Sequence, residues 1–147
     1  MSGPCTLARR SAAALCLLTA FCAAGARAER FDEHDLRGNY AFAFDGTFNG
    51  NPAAAVGRFH ADGNGHLLAG ARTLSVGAAV PFQQTFTCDY VVNADGTGTA
   101  DCLTVPGILV PAGDEESFAF VLLNHGRRAY FIATTPGAVL RGTTERH

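Results

Sequence analysis

The stretch Phe86–Cys102, FTCDYVVNADGTGTADC, decides the fold, because two alternating runs flank one tight turn. Its Asp-Gly pair supplies the positive φ that tight hairpins need. If Asn93 and Thr97 close a three-residue loop, Cys88 lies directly opposite Cys102. Opposed residues of an antiparallel pair are close enough to form a disulfide. The stretch therefore predicts an antiparallel hairpin whose register is fixed by a disulfide.

The spacing of Cys88 and Cys102 disfavours two other roles. Redox-active cysteines usually occur as C-x-x-C at the start of a helix, whereas this pair lies in strands. A zinc site needs two further ligands, and none is near in sequence. Closing a loop of about 15 residues stabilises a fold by roughly 3 kcal/mol in the chain-entropy model. We therefore expect a structural disulfide and no cofactor.

The same register places Asp89 opposite Asp101 on the other face of the hairpin. Like charges that oppose each other directly destabilise a sheet. Two interpretations remain open. Both carboxylates point into water, where screening keeps the cost small, or they share a cation, an arginine or a proton. Only the second arrangement, placed in a cleft, would support acid–base chemistry.

Residues 1–28 have the organisation of a secretory signal peptide. Two arginines precede the apolar run SAAALCLLTAFCAA, and small residues precede a cleavage point after Ala28. We therefore expect export to the periplasm or the exterior, with residues 29–147 forming a single domain. Cys88 and Cys102 are then the only cysteines left, in a compartment where such pairs oxidise.

Removal of this segment makes the chain acidic. Three of the eleven basic residues and none of the thirteen acidic ones leave with it, so a formal charge of −2 becomes −5. Nucleic acids and anionic lipids both require a basic face, so we expect neither as a partner.

Period-two alternation dominates residues 29–147, and no helical stripe appears. Eight short runs are separated mostly by glycine-containing turns, while VPGILVPAGDEE (105–116) forms a longer loop. The pattern predicts an all-β fold, an eight-stranded antiparallel up-and-down barrel, with a two-sheet sandwich as the alternative. Outer-membrane strands need about ten residues each. The runs here are shorter, so we expect no membrane insertion.

Aromatic residues are the largest remaining feature. They alternate so that many could face the interior: Tyr40, Phe42, Phe44, Phe59, Phe86, Tyr90, Phe118 and Phe120, with Phe131 beside them. An eight-stranded barrel is just wide enough to be filled by side chains or to hold one small ligand. The alanines at 53–55, 69 and 71 and the glycines at 57 and 70 would leave room on one side. A filled core and an apolar ligand pocket both remain open.

The turn HADGNGHL contains a candidate metal site at His60, Asp62 and His66. Two imidazoles and a carboxylate can bind a transition metal. An EF-hand is disfavoured, because position 12 of the loop would be Ala71 where calcium requires a glutamate. The alternative is a solvated β-turn, and the same x-x-Ala-Asp-Gly-x-Gly pattern recurs at NADGTG.

Nucleophile motifs are missing after residue 28. Ser75 and Ser117 are the only serines there, and neither lies in G-x-S-x-G or in a triad order. The sequence therefore predicts a non-catalytic protein.

Four stretches resemble a loose family of small exported bacterial β-barrel proteins: LRGNYAFAFDG, AAAVGRFHADGNGHLLAG, YVVNADGTGTADC and RAYFIATTPGAVLRGTTER. The shared motifs, G-x-Y-x-F and G-x-F-x-x-D-G-x-G, are mainly turn and core residues. The resemblance implies the fold and no catalytic residues, because the family has no assigned activity. Its architecture is similar to calycins (lipocalins and avidins). However, lipocalins usually have G-x-W where this chain has GNY, and the chain contains no tryptophan.

Together these features lead us to expect a binding protein with a small apolar ligand in a calycin-like barrel. The alternative is a protein-interaction module with a filled core, such as a periplasmic inhibitor or a surface adhesion protein.

Overall fold

A computed structural model of the protein describes residues 30–105 and 114–147. The predicted signal peptide, residues 1–28, and most of the predicted loop at 105–116 lie outside the described residues. Within the described ranges, no helix is long and apolar enough to span a membrane.

Eight antiparallel strands form a closed barrel in which each strand pairs with the next and the last pairs with the first. They are β1 (Arg37–Phe48), β2 (Asn51–Asp62), β3 (His66–Val76), β4 (Phe82–Val92), β5 (Thr97–Thr104), β6 (Glu115–Leu123), β7 (Arg128–Ala133) and β8 (Ala138–Arg146). The predicted all-β up-and-down barrel is confirmed, and the two-sheet sandwich is wrong.

The β4–β5 hairpin has the predicted register. Cys88 pairs with Cys102 and Asp89 with Asp101. The backbone N–H of Asn93 donates to the carbonyl of Thr97 at 2.7 Å and closes the three-residue loop. The two cysteines form a disulfide with Cα atoms 3.9 Å apart, and both sulfur-bearing side chains are buried.

The strands are longer than expected from the sequence. β1 and β2 each have 12 residues, and β3 and β4 each have 11. Asn-Gly at 49–50 and Asp-Gly at 62–63 turn the chain within very few residues, so the pairing continues almost to each tip.

A bulge in β3 reverses the alternation along that strand. Leu67 and Gly70 both face inward, and the pairing with β4 shifts register between them. Ala69, with φ of 51°, is the residue that absorbs the shift. The expectation that residues 69 and 71 add room inside is therefore wrong: Ala69 is exposed, and Ala71 lies between outward-facing neighbours of β2 and β4.

The charged segment before β1 closes one end of the barrel. We call residues 31–36 the N-terminal plug. Its 3₁₀ turn, Glu33–Asp35, is held by a capping box between Asp32 and Asp35. Leu36 is buried in the main core cluster, and the ring of Phe31 packs against that cluster. This charged segment thus contributes two apolar side chains to the core.

Candidate binding cavity

Four phenylalanine rings lie over glycines directly opposite them on neighbouring strands. The pairs are Phe42–Gly57, Phe86–Gly70, Phe120–Gly98 and Phe131–Gly142. A Cβ atom added at any of these glycines would overlap the ring and a backbone carbonyl of a neighbouring strand. The glycines therefore let large rings lie against the barrel wall instead of projecting into the centre.

The centre of the barrel contains a cavity of about 90 Å³. A cavity needs roughly 10–15 Å³ in this measure to admit a single water, so the space exceeds a packing defect. Its lining includes seven of the eight predicted aromatic residues: Phe42, Phe44, Phe59, Phe86, Tyr90, Phe118 and Phe120. Phe131 and both cysteines also line it. Most of the predicted aromatic residues thus line the cavity.

Tyr40 is the predicted residue that does not line the cavity. Its side chain is fully buried, and its ring stacks on Phe59 with centroids 5.2 Å apart. The hydroxyl donates to the carbonyl of Gly126 at 2.6 Å, in the β6–β7 turn. Burial raises the pKa of Tyr40 above its usual value. Tyr40 therefore stabilises the closed end of the barrel and does not contact the cavity.

Tyr90 reaches from the cavity wall to the N-terminal plug. Its single hydroxyl hydrogen is shared between the carbonyls of Leu36 at 2.8 Å and Glu33 at 3.0 Å. Burial raises the pKa of Tyr90 to about 12. The ring of Tyr90 thus borders the cavity, while its hydroxyl is hydrogen-bonded to the N-terminal plug.

A buried polar cluster lies directly behind the apolar wall. We define the Arg72 cluster as Arg72, Gln84 and Glu116, from β3, β4 and β6. The guanidinium donates to both carboxylate oxygens of Glu116, each at 2.6 Å. Its Nε also donates to the Gln84 side-chain oxygen at 2.9 Å. The Arg72 side chain is 4% exposed and that of Glu116 is 17% exposed, so this is a nearly buried ion pair.

Two aromatic rings hold the guanidinium in place. Its central carbon lies 5.9 Å from the ring centroids of both Phe44 and Phe86. Cations at this distance from a ring are attracted to its negative face. Arg72 and Glu116 both border the cavity through apolar atoms, so their paired charged groups lie directly behind its apolar surface.

The sequence contained a partial signal for this cluster. Gln84 alternates with Phe82 and Phe86, and Glu116 alternates with Phe118, so both belong to inward faces. Arg72 could not be found in this way, because the bulge in β3 reverses the inward parity before residue 72. The ion pair between Arg72 and Glu116 forms across the interior only when the barrel closes. Alternation within one strand does not predict which strands will face each other.

The opposed aspartates lie on the outer face of the barrel. Asp89 bonds to the Nδ1 atom of His66 at 2.8 Å, and Asp101 accepts a bond from the hydroxyl of Ser117 at 2.7 Å. Each carboxylate therefore has its own partner on the adjacent strand, and both aspartates are exposed. The serine hydroxyl contacts a carboxylate rather than a histidine, so these side chains do not form a catalytic triad.

The candidate metal residues are separated. His60 bonds to Asn39 at 2.9 Å, while His66 bonds to Asp89. Asp62 accepts from the backbone N–H groups of Asn64 at 2.7 Å and His66 at 3.1 Å. The bond from Asn64 is the main reason that the pKa of Asp62 is lowered. Across residues 30–105 and 114–147, no three His, Cys, Asp or Glu side chains come together as a metal site.

Comparison of the chain with protein-family models, with curated proteins and with solved structures found no match in any of the three.

Proposed function

We propose that the protein is an exported, non-catalytic binding protein that takes a compact apolar ligand into the barrel. The observation that carries the proposal is the cavity of about 90 Å³ with phenylalanine walls. Atoms that line an empty apolar space lack dispersion partners on one side, and a ligand restores those contacts. Apolar cavities of modest size stay dry and bind molecules such as benzene.

The barrel wall favours a retained cavity over collapse. Eight strands are joined in a closed hydrogen-bonded ladder, so the wall cannot move inward strand by strand. The rings of Phe86 and Phe120 already lie on glycines and cannot approach the wall further. The remaining volume suits one aromatic ring or a short branched chain, rather than the long acyl chain of a typical lipid.

The chemistry of the wall supports binding rather than catalysis. The hydroxyls of Tyr90 and Thr144 donate to backbone carbonyls, those of Leu36 and Ala41. Activation of a hydroxyl nucleophile requires a neighbouring base, and these two hydroxyls are committed to structural bonds. The carboxylate of Glu116 is likewise engaged by Arg72.

Export is supported by the disulfide and by the predicted signal peptide of residues 1–28, since disulfides persist in oxidising compartments. The outward faces carry many charged and polar side chains, whereas an inserted barrel presents an apolar band to lipid. This supports a protein of the periplasm or exterior that does not insert into a bilayer.

Ligand binding is tested with toluene on the purified protein. We expect toluene to raise Tm, because a ligand that binds only the folded state stabilises it by mass action. Ala100 lines the cavity and is buried, so Ala100→Leu should fill the space and abolish the shift. Ala41→Leu, at an exposed position of the outer face, is the matched control and should retain the shift. An identical response in all three proteins would refute the proposal.

A protein-interaction module is the second candidate. On β7, Tyr130 is 50% and Ile132 is 51% exposed, and Val139 is exposed on the neighbouring strand β8. Exposed apolar side chains grouped in this way are typical of interaction sites. Cross-linking from position 130 in the native extracellular fluid should capture one partner if this candidate holds, and Tyr130→Ser with Ile132→Ser should abolish the capture.

A further inference from the structure

We propose that the interior site selects small apolar carboxylates, and that the Glu116 side chain occupies the carboxylate subsite until such a ligand replaces it. This inference rests on the proposed function and specifies its ligand class. A guanidinium fork matches a carboxylate through two parallel bonds, and Glu116 already makes both of those bonds to Arg72. The glutamate therefore marks the position of a ligand carboxylate.

Arg72 is held in position independently of Glu116. Gln84 accepts from its Nε atom, and the rings of Phe44 and Phe86 flank its central carbon. The guanidinium would therefore keep its place and direction if Glu116 moved away. A preorganised fork loses little entropy when it binds a second carboxylate.

Glu116 has a route out of the site. It is the second residue of β6, close to the end of the strand, and its side chain is more exposed than that of Arg72. Rotation toward solvent would rehydrate its carboxylate. Exchange of Glu116 for a ligand carboxylate conserves the charge and hydrogen bonds around Arg72. The net affinity would then come from burial of the apolar part of the ligand in the adjoining cavity.

The ion pair is a costly way to stabilise a barrel. Replacing buried ion pairs with apolar side chains of similar volume is often neutral or stabilising. Leu74 and Phe82, the next inward residues along β3 and β4, show that apolar side chains occupy equivalent positions. A buried guanidinium directly behind the cavity wall is thus better explained by ligand selection than by stability.

The test compares benzoate with nitrobenzene, which has the same shape and no net charge. Calorimetric titrations use the wild-type chain, Glu116→Gln and Arg72→Met, with Glu115→Gln as the matched control. Glu115 is an exposed carboxylate next in sequence to Glu116, so its variant removes the same charge outside the cavity.

We expect Glu116→Gln to bind benzoate at least about tenfold more tightly than wild type, because the competing carboxylate no longer limits the binding-competent fraction. Nitrobenzene affinity should change by less than about twofold, since the cavity is unaltered. Glu115→Gln should behave as wild type. Arg72→Met should lose benzoate binding and keep nitrobenzene binding.

The outcomes separate the two proposals. If nitrobenzene binds but benzoate binds no better to Glu116→Gln than to wild type, the carboxylate inference is wrong and the apolar cavity stands. If neither probe binds any of the proteins, both fail. A second measurement needs no variant: saturating benzoate should shift the Arg72 Nε–H and Glu116 carboxyl NMR signals of the wild-type protein. Unchanged signals at saturation would overturn the inference.

Discussion

Asp89 and Asp101 face each other across the β4–β5 hairpin, yet each carboxylate is bonded outward to a different neighbouring strand. Asp89 contacts His66 of β3, and Asp101 contacts Ser117 of β6. The like-charge pair is thereby part of a polar row that crosses four strands on the outer face. Ordinary cross-strand bonds are sufficient to hold it, and no catalytic role is required to explain it.

Neutralising one member of this pair should stabilise the barrel. Asp101→Asn removes the repulsion, retains an acceptor for Ser117, and should raise Tm by about 1–2 °C at low ionic strength. The gain should shrink at high salt, because exposed charges are screened. Asp45 faces Arg141 at 3.8 Å, so Asp45→Asn is the control and should give no gain. Equal gains in both variants would show that net charge, rather than the pair, is responsible.

The disulfide should account for a large share of the stability. Its cysteines are 14 residues apart in sequence, and the Cys88→Ala/Cys102→Ala double variant should lose about 3 kcal/mol of unfolding free energy. Guanidinium unfolding monitored by circular dichroism measures the loss. The sulfurs face the interior, so reductant should act on the native protein only slowly. A variant with an unchanged midpoint would contradict this assignment.

Substitution of the glycines beneath the phenylalanine rings, even by alanine, should destabilise the barrel. At Gly98 an added Cβ would overlap Phe120 and the carbonyl of Val91. Gly98→Ala should therefore destabilise the barrel by about 1–3 kcal/mol and displace the ring toward the cavity. Thermal unfolding and toluene binding measure the two effects. Thr99→Ala, at the adjacent exposed position, should change neither; a similar loss there would point to β-propensity rather than overlap.

Tyr90 should make the barrel sensitive to alkali. Burial raises its pKa to about 12, whereas an unfolded tyrosine titrates near about 10. Between these values the unfolded chain releases its proton first, so stability is complete below pH about 10 and falls as pH rises toward about 12. The denaturation midpoint of the wild type should exceed that of Tyr90→Phe below pH about 10, and the difference should decrease as the pH rises toward about 12. A constant difference would exclude Tyr90 as the titrating group.

The hairpin and the barrel were predictable because their determinants are local. The Ala-Asp-Gly turn fixes the offset between Cys88 and Cys102, and period-two alternation identifies which side chains share a face. Both follow from backbone geometry and need no knowledge of distant strands. The aromatic lining was predicted for the same reason.

The Arg72 cluster and the N-terminal plug were not predictable in this way. Arg72 and Glu116 meet only after the barrel closes, and the bulge at Ala69 hides the inward parity of Arg72. Leu36 lies in a charged segment, and that segment contacts the turns that follow β4 and β6, at Ala94 and Gly126. Contacts between residues that are distant in sequence leave no recognisable pattern within the sequence of a single strand.

The pairing of β1 with β8 has a consequence for assembly. The first strand receives its second neighbour only when the final strand is available, so a barrel interrupted before β8 exposes two bare edges, on β1 and β7. Unpaired edges of long strands are templates for intermolecular pairing. Closure between the two ends of the sheet is also a high-contact-order step, and such steps are slow. A chaperone that shields these edges until β8 has docked would therefore act on the most aggregation-prone stage of folding.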